Sequence, residues 1–307
     1  MKKQLQFRQD GTFKIVQFTD LHWENGDQLD ADTNRLMERI LIEEKPDLVV
    51  FTGDIIYSPA SNNPIAAFRG ALEPVGKMNI PWAAVFGNHD TEGNVSKEEL
   101  LAVMQEYPNS LTEVGVVSGA GNYVVPVLDS SGAEVEWALF FLDSGMDNAN
   151  KLVGGYDFIK RDQIDWYVKE SLALKENGGP AELLFFHIPL PEYKEVWEHG
   201  NCVGSMKEGE ICSPAVNSGL FSAMVEMGTA KGTFVGHDHL NDFCGELHGI
   251  QLCYGRATGY NGYGQDDFPR GARIIQLQEG KRNFDTYLRL ADGSKVVQEN
   301  SASNAKV

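Results

Sequence analysis

Five of the seven histidines of this 307-residue chain follow directly on short apolar runs, in the company of aspartate or asparagine. Residues 13–19 run into Asp20-Leu21-His22, and residues 48–52 into Gly53-Asp54. Residues 82–86 run into Gly87-Asn88-His89-Asp90, residues 183–186 into His187, and residues 233–235 into Gly236-His237-Asp238-His239. Only His199 and His248 lie elsewhere. Imidazole and carboxylate donors together suit Mn, Fe, Zn, Co or Ni, whereas Mg or Ca favours oxygen alone. Taken singly, each motif has an ordinary explanation: an Asp that caps a helix or forms a turn, a polar loop, a buried hydrogen-bonded His. Five in a row, each behind an expected strand, are not explained that way.

The elements that must position these residues follow from periodicity. Residues 13–19, 48–52, 80–86, 137–142, 183–186, 233–235 and 272–277 read as strands, the first as a buried one. Residues 33–44 read as a helix with Leu36, Met37, Ile40 and Leu41 on one face, and Ile164, Tyr167, Val168 and Leu172 give a second helical stripe. The Val-rich stretch within 111–129 suggests strands, and residues 243–254 a hairpin turning at His248-Gly249. Alternation of strands and helices indicates an α/β architecture, in which ligands collect at the carboxyl ends of strands. We expect one domain over 1–307, with a core over about 12–290 and a polar, flexible tail at 291–307.

Composition narrows the partners. A net charge of −18, with no Lys/Arg cluster, speaks against a duplex-binding surface. The same charge repels phosphate at long range, so an enzyme acting on phosphate esters needs local positive charge, which bound metal ions supply. No apolar run reaches the ~18 residues of a membrane span, and no secretory signal precedes residue 10, which makes a cytoplasmic location the expectation. None of the four cysteines (Cys202, Cys212, Cys244, Cys253) forms a CxxC pair. In the hairpin drawn above, Cys244 and Cys253 lie opposite each other, close enough for a disulfide.

The ordered set DxH, GD, GNHD, a lone His after a strand, and GHxH resembles the signature of the calcineurin-like metallophosphoesterases, over residues 13 to 277. The resemblance implies a four-layer α/β/β/α sandwich with two mixed β-sheets. It implies that Asp20, His22 and His239 hold one metal, that Asn88, His187 and His237 hold a second, and that Asp54 bridges them. It gives His89 to the substrate and Asp90 to the task of orienting His89. The chemistry is consistent: a shared carboxylate holds two cations ~3.5–4 Å apart, and water bound to them ionises near neutral pH, giving a hydroxide that attacks phosphorus in line. His89, when protonated, can pass a proton to the leaving oxygen.

Residues 45–54, 186–192, 216–221, 241–247 and 252–255 also look like the purple-acid-phosphatase-like branch of plants and fungi. Purple acid phosphatases carry a Tyr ligand in GDxxY, a spacing matched by Gly53-Asp54-Ile55-Ile56-Tyr57, but lack the His of DxH, here His22. The two residues compete for one coordination position, and we favour His22, with Tyr57 behind it or in the core. The function expected is phosphoester hydrolysis, first of monoesters on a small molecule or phosphoprotein, with cyclic or other small diesters as the alternative. A non-catalytic scaffold is the third reading, and the filled ligand positions argue against it. Specificity is expected in the loops at 25–30, 58–64, 199–217 and 258–270, the last rich in Tyr and Gly beside Arg256 and Arg270.

Overall fold

The computed structural model describes residues 4–175, 179–199 and 201–298. In chain order the elements are β1 (Leu5–Gln6), β2 (Thr12–Phe18), α1 (Gln28–Glu44), β3 (Leu48–Thr52), α2 (Pro64–Met78), β4 (Trp82–Val85), α3 (Lys97–Gln105), β5 (Tyr123–Leu128), β6 (Val135–Phe141), α4 (Arg161–Leu174), β7 (Ala181–Phe185), α5 (Glu192–His199), α6 (Leu220–Met227), β8 (Ala230–Val235), β9 (Cys244–Leu247), β10 (Ile250–Tyr254), β11 (Gly271–Gln278), β12 (Phe284–Leu290) and β13 (Lys295–Val296). They form a seven-stranded sheet ordered β1-β5-β6-β7-β8-β10-β9 and a six-stranded sheet ordered β13-β12-β11-β2-β3-β4. Both are mixed. β2, β3 and β4 run parallel in one, and β6, β7, β8 and β10 in the other, with antiparallel neighbours outside them.

Strand β3 shows why the sheets stack. All five of its residues are buried, so both faces must be covered. Leu48 and Val50 point into a core shared with Phe141, Leu183, Phe185 and Phe234 of the other sheet. Val49 and Phe51 point the opposite way, into a core with Met37 and Ile40 of α1 and Phe68 and Leu72 of α2. A third core places Phe140 and Leu184, on the far face of the seven-stranded sheet, against Ile164 and Tyr167 of α4 and Met224 of α6. Three cores between four layers give the α/β/β/α sandwich that the motifs imply.

Several expectations are adjusted. Helix α1 starts at Gln28, not residue 33, because Asp27 caps it by accepting from Leu29 N and Asp30 N. The 25–30 loop is therefore largely a helix start. Helix α2 carries Pro74 inside it and Gly70 and Gly76, which obscure its stripe. Gly70 is needed because a Cβ there would stand 2.5 Å from the Trp23 ring. Within 111–129, only residues of β5 form a strand. The tail is ordered further than expected: β13 pairs with β12, and the Gln298 amide donates to Asp242 O at 3.0 Å. Residues 299–307 lie outside the described residues. Cys244 and Cys253 face each other across β9 and β10, as the hairpin reading requires, and are joined with Cα atoms 4.1 Å apart. Cys202 and Cys212 are not in disulfides.

Candidate metal centre

Packing the sheets face to face sets the carboxyl ends of β2, β3 and β4 beside those of β7 and β8. Beyond β2 and β3 the chain keeps pairing as it turns: Asp20 N donates to Gly53 O (3.1 Å), His22 N to Asp54 O (2.9 Å) and Trp23 N to Ile55 O (3.1 Å). The turn is sharp. Asp20, His22, Asp54 and His237 adopt φ of 53°, 49°, 49° and 79°. Positive φ is uncommon outside glycine and is best tolerated by Asp, Asn and His. Such conformations persist where the surroundings over-determine them, commonly at functional sites. Four of the site residues expected from sequence thus share a backbone state that turns their side chains back over the sheet ends.

Glycines let the backbone approach these side chains. A Cβ on Gly236 would meet Thr19 Oγ1 and stand 2.8 Å from Asp20 Oδ2. One on Gly87 would stand 2.7 Å from Asp54 Cγ, and one on Gly262 2.8 Å from His239 Nδ1 and 3.1 Å from His22 Cδ2.

Two buried donor groups result, Asp20 with His22 and His239, and Asp54 with His187 and His237; within each, the ligand atoms lie within 4.8 Å of one another. His22 Nε2 and His239 Nε2 are 3.0 Å apart. Asp54 Oδ2 lies 3.6 Å from His22 Nε2 and 3.1 Å from His187 Nε2, so one carboxylate faces both groups. Asn88 Oδ1 is 3.1 Å from His187 Nε2, and His237 Nδ1 is 3.3 Å from it. All seven side chains singled out as ligands from the sequence are therefore brought together.

Hydrogen bonds behind the rings decide which nitrogen faces inward. His187 Nδ1 donates to Thr52 O (2.7 Å) and His239 Nδ1 to Tyr263 O (3.0 Å), leaving both Nε2 atoms with lone pairs. His239 is held again by Tyr263, whose ring stacks on it at 4.0 Å and whose hydroxyl accepts from His239 N (3.1 Å).

These donors fit a cation. With its Nδ1 proton committed to Thr52, His187 Nε2 faces Asp54 Oδ2 and Asn88 Oδ1, three lone-pair atoms with nothing positive between them unless a metal or an extra proton enters. The electrostatics show the same demand. Burial works against a charge on His187, yet the Asp54 carboxylate outweighs it and holds the ring up at about 9. Burial also works against charge on Asp54, but His187 and His22 hold it well below the usual carboxylate range. Three other rings are pushed toward the neutral form. Burial pushes His22 and His239 down to about 4 against the pull of Asp54 and Asp20 respectively, and pushes His237 well below its ordinary value. His237 Nε2 is buried without a hydrogen-bond partner. Neutral imidazoles and ionised carboxylates are the protonation states that ligate a metal.

His89 lines the mouth of the centre, with its ring 5.2 Å from that of His22. Its backbone N donates to Asp54 Oδ1 at 2.8 Å. Asp90 does not act on it in the expected way. The Asp90 carboxylate accepts from Ile56 N (2.9 Å) and Gly87 N (2.7 Å), clamping the loop after β4 onto the loop after β3. Burial, and then the charge of Asp54, push Asp90 up to about 7. The carboxylate that reaches the His89 ring is Glu92, at 2.5 Å from Nδ1. A backbone already turned between Gly87 and Asp90 leaves Asp90 facing the peptide groups and Glu92, three residues on, facing the ring. Tyr57 stands beside this pair, 5.3 Å from the His89 ring and 6.0 Å from His22.

The mouth is a cleft of about 290 Å³ that Glu24, Tyr156, Cys212, Asn261 and Tyr263 also line. Sequence reasoning did not single out Glu24, Glu92 or Tyr156. Glu92 sits three residues beyond His89, a legible spacing. Tyr156, whose ring lies 4.4 Å from His237, comes from a loop with no motif.

A family profile described as calcineurin-like phosphoesterase matches residues 13–241. Among curated proteins, "Probable inactive purple acid phosphatase 14" of Arabidopsis thaliana is 34% identical over 92% of this chain and 79% of its own length. "Probable inactive purple acid phosphatase 28" of the same plant is 35% identical over 96% of this chain and 81% of its own. Phosphatase DCR2 of Saccharomyces cerevisiae is 33% identical over 96% of this chain and 56% of its own length. The fold is shared with solved structures. A dimetal phosphatase from Danio rerio matches with TM-score 0.59 and 15% identity, over 89% of this chain and 98% of its own. Purple acid phosphatase PPD1 of yellow lupin matches with TM-score 0.59 and 13% identity, over 94% of this chain and 53% of its own. A profile that spans most of the chain, and relatives above 30% identity across nine-tenths of it, establish that this chain belongs to the calcineurin-like phosphoesterase family, hydrolases of phosphoester bonds.

Proposed function

We propose that this chain hydrolyses phosphate monoesters at a two-metal centre. Asp20, His22 and His239 hold one ion, Asn88, His187 and His237 the other, and Asp54 both. The observation that carries this reading is the position of Asp54 Oδ2, within 3.6 Å of His22 Nε2 and 3.1 Å of His187 Nε2. The donor set suits Mn, Fe, Zn, Co or Ni. When bound, such ions polarise the phosphoryl group and lower the pKa of water. His22 takes the coordination position, and Tyr57 stands beside it on the wall of the cleft. Preference for monoesters is supported by the relatives: the phosphatase-named ones align over most of the chain, whereas a named phosphodiesterase, YaeI of Escherichia coli, aligns over 29% of it.

The chain's own residues do the rest. Thr52 and Tyr263 orient His187 and His239 through their carbonyls. Glu92 holds a proton on His89 Nδ1 and fixes the ring, leaving Nε2 for the substrate. From there, a doubly protonated ring can donate to the leaving oxygen, a contribution of roughly 10²–10⁴-fold. Three of the plant relatives bear the word inactive in their names. This chain keeps every donor and His89, and on that ground we assign catalysis.

The test is a metal-reconstituted assay with p-nitrophenyl phosphate, bis(p-nitrophenyl) phosphate and an alkyl phosphate. Monoester turnover is expected to exceed diester turnover. His89→Ala should retain metal and lose more rate on the alkyl ester than on p-nitrophenyl phosphate, whose leaving group needs little protonation. An alkyl ester cleaved equally fast by His89→Ala would remove His89 as the acid. No turnover of any ester with any of the five metals would leave a protein-binding scaffold as the better reading.

A further inference from the structure

The walls of the cleft, as distinct from its floor, carry information about the part of the substrate that leaves. Three tyrosines ring the centre, each against a different histidine: Tyr57 beside His22, Tyr156 against His237 and Tyr263 stacked on His239. Tyr263 has one face on His239 and is 50% exposed, so its outer face is open. Among the described residues that line the cleft there is no Lys or Arg, while Glu24 is among them. Two nearby guanidinium groups are committed to other partners. Arg270 donates to Gly262 O and Tyr263 O. Arg256 pairs with Asp242 and lies over the Phe268 ring.

A site built to grip a substrate carrying a second phosphate or carboxylate would present Arg or Lys at its walls. This one presents aromatic rings and a carboxylate, the combination that recognises cations. Resting on the monoesterase reading above, we infer that the cleft selects phosphate monoesters whose leaving alcohol carries an ammonium or quaternary ammonium group, accepts neutral ones less well, and rejects those bearing a second anion. Glu24 and the three tyrosines are the specificity-determining residues. The floor, when loaded with metal, would meet the phosphate charge, and the walls meet the opposite charge at the other end. The chain's net charge of −18 acts in the same direction during encounter.

The experiment compares kcat/KM for three alkyl monoesters of similar size: phosphocholine, its uncharged counterpart 3,3-dimethylbutyl phosphate, and 4-phosphonooxybutanoate. p-Nitrophenyl phosphate serves as the reference for a working centre. The expected order is cationic, neutral, anionic, with about tenfold or more between the extremes, as one uncompensated wall charge near the leaving group provides. Glu24→Gln should shrink that ratio by roughly threefold or more, and raising the salt from 0.02 to 0.5 M should shrink it in the parent. The salt arm keeps the test open if the variant does not fold. Equal rates across the series, or faster cleavage of the anionic ester, overturn the inference while p-nitrophenyl phosphate turnover leaves the monoesterase reading standing. Absence of p-nitrophenyl phosphate turnover with every metal overturns both.

Discussion

Replacing Asp30 by Asn changes one oxygen for an NH₂, and the structure makes that an expensive exchange. Asp30 is fully buried at the start of α1. Its Oδ2 accepts from Asn25 N (3.0 Å), Gly26 N (2.7 Å) and Asp27 N (3.3 Å). Its Oδ1 accepts from Glu24 N (3.0 Å) and Asn261 Nδ2 (2.7 Å). An Asn that keeps its oxygen on the three-donor side turns its NH₂ toward Glu24 N and Asn261 Nδ2. Asn261 cannot rotate its amide to help without losing its bond to His22 O (3.1 Å). One orphaned buried donor costs ~1–3 kcal/mol, and the remaining bonds lose the roughly twofold strengthening of an ionised acceptor. Together these give about 2–5 kcal/mol. At about 2.1 cal/mol/K per residue, a chain of this size would lose roughly 3–8 °C in Tm. The damage should also reach the site, because Asp30 ties the Glu24 segment to the Asn261-Gly262 segment that packs on His239 and His22. Thermal denaturation of parent and Asp30→Asn with matched metal content, together with KM for p-nitrophenyl phosphate, is the assay. KM should rise more than kcat falls. A variant melting within about 1 °C of the parent would refute the claim that this carboxylate pins both walls.

Metal content should respond selectively to glycine substitution: Gly262→Ala crowds His239 and His22 and should leave close to one ion per chain, whereas Gly87→Ala crowds Asp54 and should lose both, as read by elemental analysis. Asp54→Ala should match Gly87→Ala in that measurement. If His22 is the ligand, the oxidised iron form lacks an intense visible band and Tyr57→Phe leaves metal binding intact; a purple protein bleached by that substitution would show the opposite choice. Glu44 supplies a pH-dependent contribution. Burial works against its charge, but bonds from Tyr287, Lys14 and Arg289 hold its carboxyl below the usual range. A depressed folded pKa stabilises above the unfolded value near 4.5 and is lost as pH falls through the folded one. The stability gap between parent and Glu44→Gln, measured by urea denaturation, should therefore be widest above pH ~5 and close in more acidic solution.

Much of the centre was legible in one dimension because each candidate ligand sits at a strand end, and strand ends are marked by a change from apolar to polar that needs no partner to be seen. Asp20, His22, Asp54, Asn88, His187, His237 and His239 were located that way. The Cys244–Cys253 pairing was legible too, since a two-residue turn sets the register of its own hairpin. Helix α2 was not, because its glycines answer to aromatic rings from elsewhere in the chain: Gly70 to Trp23, more than forty positions away, and Gly76 to Tyr107. Nor was the division of labour between Asp90 and Glu92. Both are acidic and both lie close to His89 in sequence; which one faces the ring depends on how the loop is clamped to Ile56 and Gly87. The walls of the cleft were only partly legible: the 258–270 loop that supplies Tyr263 stood out as rich in Tyr and Gly, but Glu24 and Tyr156 sit in no motif. Glu24, Tyr57, Tyr156 and Tyr263 come from four separate loops with no common spacing. A metal ligand must obey local backbone geometry, and so leaves a pattern in the chain. A wall residue need only arrive at the right place in space, and only the packing of the two sheets decides that.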